Sequence, residues 1–524
     1  MRIMAKRSSV ALFCLLTLVA FAAEKLRADD VPVAPVEMAT VAVKSLDALT
    51  AFAKEAGIPL PPFLTKEGLE KQFVFIGNDG LDSGKPIGII FFGAPKTPPT
   101  NLVTFVFPIK PAGASIESLK AMGGVPMPGQ ADTVVLNGAV GLRRTGDYLI
   151  FSPSAAAVVA FKPQAFSEVV KGADALAKLT VNVAAIREAS PELLAAFIDN
   201  VEKQSANDLA NNQNKPGYAV GQDLVLNWLR DSAKTLNRLD IGVDADDRSL
   251  RLSASGSPVK AAPAVSFNRP GMPAGVVGRI DSTISFGRDY PKMREDLESF
   301  VTESIKKESK DKVYTEEDLK QMRSAMSRML GLAVDSTTAS VGVEMSSGKP
   351  VVYLVQHWPE KFDGISRIRE VARDLSKMAE KEKDASSLEI KPYEADGKSI
   401  LRIKIIEKGK TIGCVDAYQS GDEMYYAIST DEERHMPKLL AAPKEGPEKD
   451  ILSAVIDLGK SIEAAAAIPD SGLSDMPADL RKNLTESLRG RKVKLSLSNH
   501  DGAATVDLTA DREILKIIRK FAEK

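Results

Sequence analysis

The chain has 524 residues, 44% of them hydrophobic and 27% charged, with 69 basic against 70 acidic side chains. It is longer than one ordinary domain of roughly 100–200 residues, and its composition is that of a globular protein with apolar material for sizeable cores. A net charge of −1 excludes a global pull toward nucleic acid or an anionic membrane, and two cysteines exclude a disulfide scaffold.

In chain order, the first element is "MRIMAKRSSVALFCLLTLVAFAAEKLRADD". Arg2, Lys6 and Arg7 precede an apolar run from Val10 to Ala23, and Ala20-Phe21-Ala22 fits a cleavage site. This is the three-part pattern of a secretory signal peptide over residues 1–23, and it predicts export to the periplasm or the extracellular space. The run is shorter than the about 20 residues a membrane span needs, and no second run reaches that length. Cys14 lacks the small preceding residue of a lipidation signal. Removal of the signal leaves Cys414 alone in "TIGCVDAY", so no intrachain disulfide is expected and the thiol reads as a small buried hydrophobe.

A first domain is expected over residues 30–255. "VEMATVAVKSLDALTAFAKEAG" reads as a strand and a helix, "PIGIIFF" and "NLVTFVFPI" as a strand pair, and Ile116, Leu119 and Met122 as the face of a short helix. "RRTGDYLIFSPSAAAVVAF" then gives a Gly-Asp turn, a strand, and a helix start with Ser152 before Pro153. "LTVNVAAIREA" is a strand leading into a helix. The Asn/Gln-rich stretch Lys203–Gln222 reads as a surface loop or helix extension. "LDIGVDADDRSLRLSAS" is a hairpin with an Asp-rich tip.

A Pro/Gly/Ala-rich linker is expected over residues 256–275, and a second domain over residues 276–524. The second half repeats the order. "ASVGVEM" and "KPVVYLVQHW" match the earlier strand pair, and a helix from Asp363 places Ile365, Ile368, Val371, Leu375 and Met378 on one side. "AYQSGDEMYYAISTDEERHMPKLLAA" repeats the Gly-Asp turn and strand, with Thr430 and Glu433 as a capping box. "AVIDLGKSIEAA" repeats the strand-to-helix step, and Asp457 falls where Asn182 stands in the first half. "VKLSLSNHDGAATVDLTA" repeats the hairpin. The second half adds "VYTEEDLKQMRSAMSRMLGL", a helical stretch with a Thr315-x-x-Asp318 capping box and Leu319, Met322, Met326 and Met329 on one face. A final helix would bury Ile514, Ile517, Ile518 and Phe521.

Each half thus reads β-α, β-β-α, β-β-α, β-α, β-β. The expected fold class is α+β: two similar tandem domains, each a mainly antiparallel sheet covered by helices.

The chemistry-bearing motifs are incomplete. "GNDGLDSGKPIGII" approaches a phosphate loop, but Asp79 takes a glycine position, Pro86 stands where Ser or Thr would hold Mg²⁺, and a strand follows where a helix is needed. The Ser-Gly-Lys-Pro tetrapeptide recurs at Ser347 and reads both times as a turn into a strand. Asp244–Asp247 fails the calcium-loop pattern at Arg248 and Ser249. The three histidines are His357 in a strand, His435 on a helix surface and His500 in a turn, with no zinc spacing among them. No G-x-S-x-G elbow is present, although a triad can assemble from dispersed positions. Two tryptophans, Trp228 and Trp358, are few for a sugar site. No catalytic residue, metal ligand or cofactor is therefore assigned, no nucleic-acid partner is expected, and Asp147 and Asp422 are the only candidates for a site shared by the halves.

The pattern resembles uncharacterised exported proteins of planctomycete-type bacteria. It is carried by the signal peptide, "VAVKSLDALTAF", "KPIGIIFF", "VTFVFPI" and "GDYLIFS", all short motifs. The resemblance covers most of the chain and implies neither an activity nor site residues. The expected function is a non-enzymatic exported protein, a two-domain binding or envelope-structural module. The alternatives are a secreted hydrolase with a dispersed carboxylate or Ser/His site, and a periplasmic carrier of an apolar ligand held between helices and sheet.

Overall fold

A computed structural model of the chain describes most residues between 36 and 517. Outside the description lie 1–35, 57–59, 94–101, 162–174, 212–229, 231–233, 258–266, 284–314, much of 318–335, 359–361, 380–385, 467–475, 501–502, 518–524 and a few single positions. The expected signal peptide, the Met322–Met329 stripe, Trp228, and Ile518 and Phe521 fall outside the described residues.

The chain divides into two compact units. One holds residues 1–204, 229–259 and 518–524, and the other residues 205–228 and 260–517. Among its described residues the first unit carries ten strands: β1 (Val36–Val43), β2 (Ile87–Gly93), β3 (Leu102–Pro108), β4 (Val125–Met127), β5 (Gln130–Leu136), β6 (Val140–Thr145), β7 (Tyr148–Ser152), β8 (Ala177–Asn182), β9 (Arg238–Ala245) and β10 (Ser249–Ser257). They pair antiparallel in the order β4-β5-β6-β7-β3-β2-β1-β8-β9-β10.

In the second unit the two-residue strands β11 (Phe267–Asn268) and β19 (Pro447–Glu448) pair apart from the rest. The others are β12 (Val276–Ser282), β13 (Thr338–Ser346), β14 (Lys349–His357), β15 (Ser386–Ala395), β16 (Lys398–Glu407), β17 (Lys410–Ser420), β18 (Glu423–Ser429), β20 (Leu452–Asp457), β21 (Lys492–His500) and β22 (Ala503–Asp511). Their order is β15-β16-β17-β18-β14-β13-β12-β20-β21-β22, all antiparallel. Strand for strand, this is the order found in the first unit.

The expected pair of helix-covered α+β domains is corrected by this. Among the described residues strand, at 45%, outweighs helix, at 32%, and each unit is built on a long, wholly antiparallel run of strands with few helices over it. The physical reason lies in the segment from Ser386 to Ser429. Its side chains alternate with period two through four long strands, and its turns need no helix. Asp396-Gly397 and Lys408-Gly409 both have positive φ at the two central positions, as does Ser347-Gly348. That backbone twist matches the flanking strands and closes hairpins tightly. Ser-Gly-Lys-Pro is a hairpin turn at Ser347 but precedes β2 at Ser83, so its two copies are not equivalent.

Most of the described helices are short, the longest being Pro191–Asn211 and Gly364–Ala379. In chain order α1 is Leu46–Ala56, α2 Lys66–Gln72, α3 Ile116–Ala121, α4 Ala155–Ala160, α5 Val183–Ala189 and α6 Pro191–Asn211. They continue with α7 Gly364–Ala379, α8 Met436–Leu440, α9 Leu458–Ala466 and α10 Ala478–Leu488. Lys203 to Asn211 belong to α6, so this part of the Asn/Gln-rich stretch is helix. Ser115 and Ser118 close a capping box on α3, and Asp363 Oδ1 accepts the Ser366 N–H at the start of α7. The two expected starts after the Gly-Asp strands do not form. Ser152 is a buried β7 residue whose hydroxyl donates to the Val103 carbonyl at 2.8 Å, and α4 begins at Ala155. Thr430 caps nothing, since α8 begins at Met436.

Both faces of each strand meander are packed. In the first unit Phe73, Phe105, Phe107 and Phe151 surround one another, with ring centroids 4.8 to 5.9 Å apart, over Ile76, Leu81, Leu142 and Leu149. In the second, α7 lays Ile368 and Ala372 on Leu401, Ile403, Ala417 and Tyr426. The opposite face buries Val351, Tyr353, Val355 and Ile400 against Met436 and Leu439 of α8.

The repeated strand-to-helix step has one stabilising contact at one place in each unit. Asn182 Oδ1 accepts the Ala185 N–H at 3.0 Å, and Asp457 Oδ1 accepts the Lys460 N–H at 3.1 Å. Each cap satisfies a backbone donor that the helix leaves free. Asn182→Ala and Asp457→Ala are each expected to cost about 1 kcal/mol, read as a lower urea midpoint at unchanged m-value. An unshifted midpoint in both variants would show that these caps do not hold the helices.

Candidate functional site

The two Gly-Asp turns occupy the same place, between β6 and β7 and between β17 and β18. Gly146 and Gly421 both take the left-handed conformation, at φ 57° and 63°, which explains why glycine stands there. The next backbone carbonyl has the same task in each turn. Asp147 O accepts the Ile109 N–H, and Asp422 O accepts the Trp358 N–H, both at 2.8 Å. The side chains then diverge. Asp147 Oδ2 takes the Lys85 ammonium at 2.8 Å, and that contact holds its carboxyl below the ordinary carboxylate value. Asp422 Oδ2 lies 2.9 Å from His357 Nε2, and both side chains are nearly half exposed. What recurs is the backbone of the turn, and the side chains build two different pairs.

The structure brings together a second group that the sequence reading did not assemble. The loop from Thr430 to His435 joins β18 to α8. His435, expected on a helix surface, is buried at the N-cap position of α8, with its side chain 2% exposed. Its Nε2 lies 2.8 Å from Asp431 Oδ1 and 4.0 Å from Glu433 Oε2. One donor atom from each of Asp431, Glu433 and His435 fits within a 4.8 Å span. Burial pushes the Asp431 carboxyl up, but the His435 contact and the Glu433 N–H outweigh it and leave the group below its ordinary value.

Arg402 on β16 fixes this loop from beneath. Its guanidinium grips Asp416 through Nε at 2.6 Å and Nη2 at 3.1 Å, and donates to the carbonyls of Glu432 and Glu433 at 3.0 and 2.6 Å. Tyr393 completes the carboxylate shell by donating its hydroxyl to Asp416 Oδ2 at 2.8 Å. Burial pulls the Arg402 charge down, but Asp416 more than restores it. Cys414 lies buried on the adjacent strand, where desolvation raises its thiol above the ordinary value.

The remaining motifs have structural placements. Asp246 Oδ1 accepts the Arg248 N–H at 2.7 Å at the β9–β10 tip, which is Asx-turn chemistry. His500 ends β21 opposite Ala503. Asp79, in the stretch resembling a phosphate loop, has positive φ and pairs with Lys66 and Lys110, which hold its carboxyl at about 2. Trp358 stacks on Phe362 with centroids 3.9 Å apart. A cleft of about 510 Å³ between α9 and α10 is lined by Glu463, Arg481, Lys482, Glu486 and Arg489 among others, and is open and polar.

The part of the second sheet around β12 has an inverted polarity. Asp281 and Ser340, Ser453 and Ser496 on the neighbouring strands stand opposite one another on one face, and all four are buried. On the other face Val341, Ile280, Ala454, Leu495 and Leu508 form one cross-strand row. Ile280 is 48% exposed, and Ile456, Leu495, Val506 and Leu508 are exposed alongside it. Alternation of this kind normally turns the apolar face inward, so a contiguous exposed apolar row is the informative departure.

Among the described residues no helix is long and apolar enough to cross a membrane. Asp416→Asn is expected to destabilise the fold by about 3–5 kcal/mol, because it strands a buried guanidinium. Asp147→Asn, at an exposed turn, is expected to leave the urea midpoint nearly unchanged. Equal losses in the two variants would contradict this assignment. Cys414 is expected to resist a thiol reagent such as dithiobis-nitrobenzoate in the native protein and to react fully on unfolding. Rapid native labelling would show the thiol to be accessible. Comparison with protein-family models, with curated proteins and with solved structures finds no match to the chain.

Proposed function

We propose that the protein is a non-enzymatic exported module, built from two copies of one ten-strand ladder, that works by surface contact. The observation that carries the reading is the inverted sheet around β12. The side chains suited to chemistry point inward and satisfy one another, as Asp281 does with Ser340 and Arg279, while Ile280, Leu495 and Leu508 face outward. An enzyme would be expected to direct perturbed polar groups into a cleft. Here the buried carboxylates Asp281 and Asp416 are each held by an arginine. Export rests on the tripartite N-terminal pattern, which the short motifs shared with planctomycete-type exported proteins accompany.

The carrier reading would place an apolar ligand between helix and sheet. That interface is filled where α7 packs Ile368 and Ala372 on Leu401 and Ile403. The hydrolase reading draws on one observation, the half-exposed His357–Asp422 pair, which has the separation of an acid–base dyad.

The exposed row makes a direct prediction. The native protein is expected to enhance anilinonaphthalene-sulfonate fluorescence, and Ile280→Lys with Leu495→Lys is expected to abolish most of that signal without lowering the unfolding midpoint. Dye binding that the double variant leaves intact would remove this face as the contact surface. In parallel, turnover of chromogenic esters or glycosides that is lost in His357→Ala would overturn the non-enzymatic reading in favour of a hydrolase.

A further inference from the structure

We infer that Asp431, Glu433 and His435 form a binding site for one divalent first-row transition ion of the zinc or manganese class. Three donors of suitable type, one imidazole nitrogen and two carboxylate oxygens, already lie within 4.8 Å of one another. A mixed nitrogen and oxygen set suits these borderline ions better than calcium or magnesium, which take oxygen alone.

The burial pattern is the second observation. His435 is almost wholly buried, points Nε2 at both carboxylates, and makes no hydrogen bond outside the cluster, since its Nδ1 is without a partner. Asp431 Oδ2 is buried and also lacks a partner. Among the described residues His435 is the one group capable of positive charge within ion-pairing distance of either carboxylate. A buried carboxylate oxygen with no donor is costly, and a cation placed between the two carboxylates and Nε2 would remove that cost. Two carboxylates balance a doubly charged ion, with the imidazole neutral.

The frame is fixed independently of any ion. Arg402 clamps the carbonyls of Glu432 and Glu433, and Ser429 Oγ donates to Asp431 O at 3.1 Å. The donors therefore sit on a loop that does not have to order itself first. Glu433 is 57% exposed, so the site opens to solvent on its side and water can fill the remaining coordination positions. The imidazole lacks the usual outer partner on Nδ1, which limits affinity. Among the described residues the site occurs once, and the corresponding step of the first unit, from β7 into α4, has the sequence Ser152-Pro153-Ser154 and carries no such donor set. Bound there, the ion would tie β18 to α8, whose Met436 and Leu439 are part of the core.

The test uses tag-free protein stripped with a chelator and titrated with Zn²⁺ and Mn²⁺ by calorimetry, with Co²⁺ absorption as the spectroscopic report of nitrogen and oxygen ligation. One ion per chain and a raised thermal midpoint are expected. Asp431→Asn and His435→Gln should lose stoichiometric binding. Glu433→Gln should weaken it tenfold or more while keeping the unfolding midpoint of the stripped wild type. Because Glu433 is exposed, that variant decides the matter even where the two buried ones fail to fold. No stoichiometric binding to the wild type, or binding that Glu433→Gln leaves unchanged, would overturn the proposal.

Discussion

Each ladder depends on its first strand being paired on both sides. β1 is hydrogen-bonded to β2 and to β8, and β12 to β13 and to β20. The first strand of the unit is therefore interior to the sheet, and its second partner comes from far along the chain. β20 begins at Leu452, long after β12 ends at Ser282. Such non-local pairing incurs loop-closure entropy before any contact compensates it, so the order of strands has to be specified strongly by side chains. On β12 the specification is ionic. Arg279 and Asp281 lie two residues apart on the same face, Nε reaching both carboxylate oxygens at 2.9 and 2.8 Å. Ser340 of β13 donates to the same carboxylate, and Arg279 reaches Glu445 at 2.7 Å and the Pro270 carbonyl at 3.0 Å. A one-residue slip of β12 would expose this network and bury Ile280 in its place, which makes the register unambiguous.

That choice has a consequence for the surface. Once Arg279 and Asp281 point inward, period-two alternation forces Ile280 outward, and the rule propagates along each rung to Ala454, Leu495 and Leu508. The buried polar row and the exposed apolar row are two sides of one constraint. In the first unit the matching strands carry Thr40, Thr180 and Asp240 opposite one another, with Thr180 Oγ1 donating to Asp240 at 2.6 Å. The other face there carries Val41, Leu179 and Ile241. The polar rung is thus uncharged at β1 and ionic at β12, and the apolar rung is common to both.

Much of this was legible in the sequence where the signal is local. The order of elements, the likeness of "PIGIIFF" to "ASVGVEM", the hairpin at Asp246, the pairing of β21 with β22, and the helix started by Asp363 follow from periodicity and cap chemistry. The shortfall in strands was concentrated in one place. Each half reads β-β-α where the structure has four strands and a helix, and in the second half β15 and β16 interleave Lys and Glu with their apolar residues, which weakens the strand signal. The Lys408-Gly409 turn also lacks the Asn or Asp that usually announces a hairpin. The candidate site was not legible for a different reason. Asp431, Glu433 and His435 lie within five residues of one another, but the Thr430 capping pattern predicts a helix through them, and a helix would turn Glu433 away from the face shared by Asp431 and His435. Arg402, nearly thirty residues upstream and recognisable in three dimensions alone, clamps the loop through two of its carbonyls.

The Gly-Asp turns show how repetition and divergence separate in this chain. A backbone carbonyl at Asp147 and at Asp422 has the same partner geometry because the ladder order requires the meander to be fastened to its neighbour at that point. The carboxylates are free of that duty, and they have taken different partners, Lys85 in one unit and His357 in the other. The same division holds one strand later. β7 and β18 occupy one position in the ladder, but the turn after β18 carries Asp431, Glu433 and His435 where the turn after β7 has serine and proline. Backbone geometry is shared wherever the sheet depends on it, and side-chain chemistry differs wherever the sheet does not. A function common to both units is therefore to be sought in the apolar rungs, and a function particular to one unit in the loop that Arg402 holds.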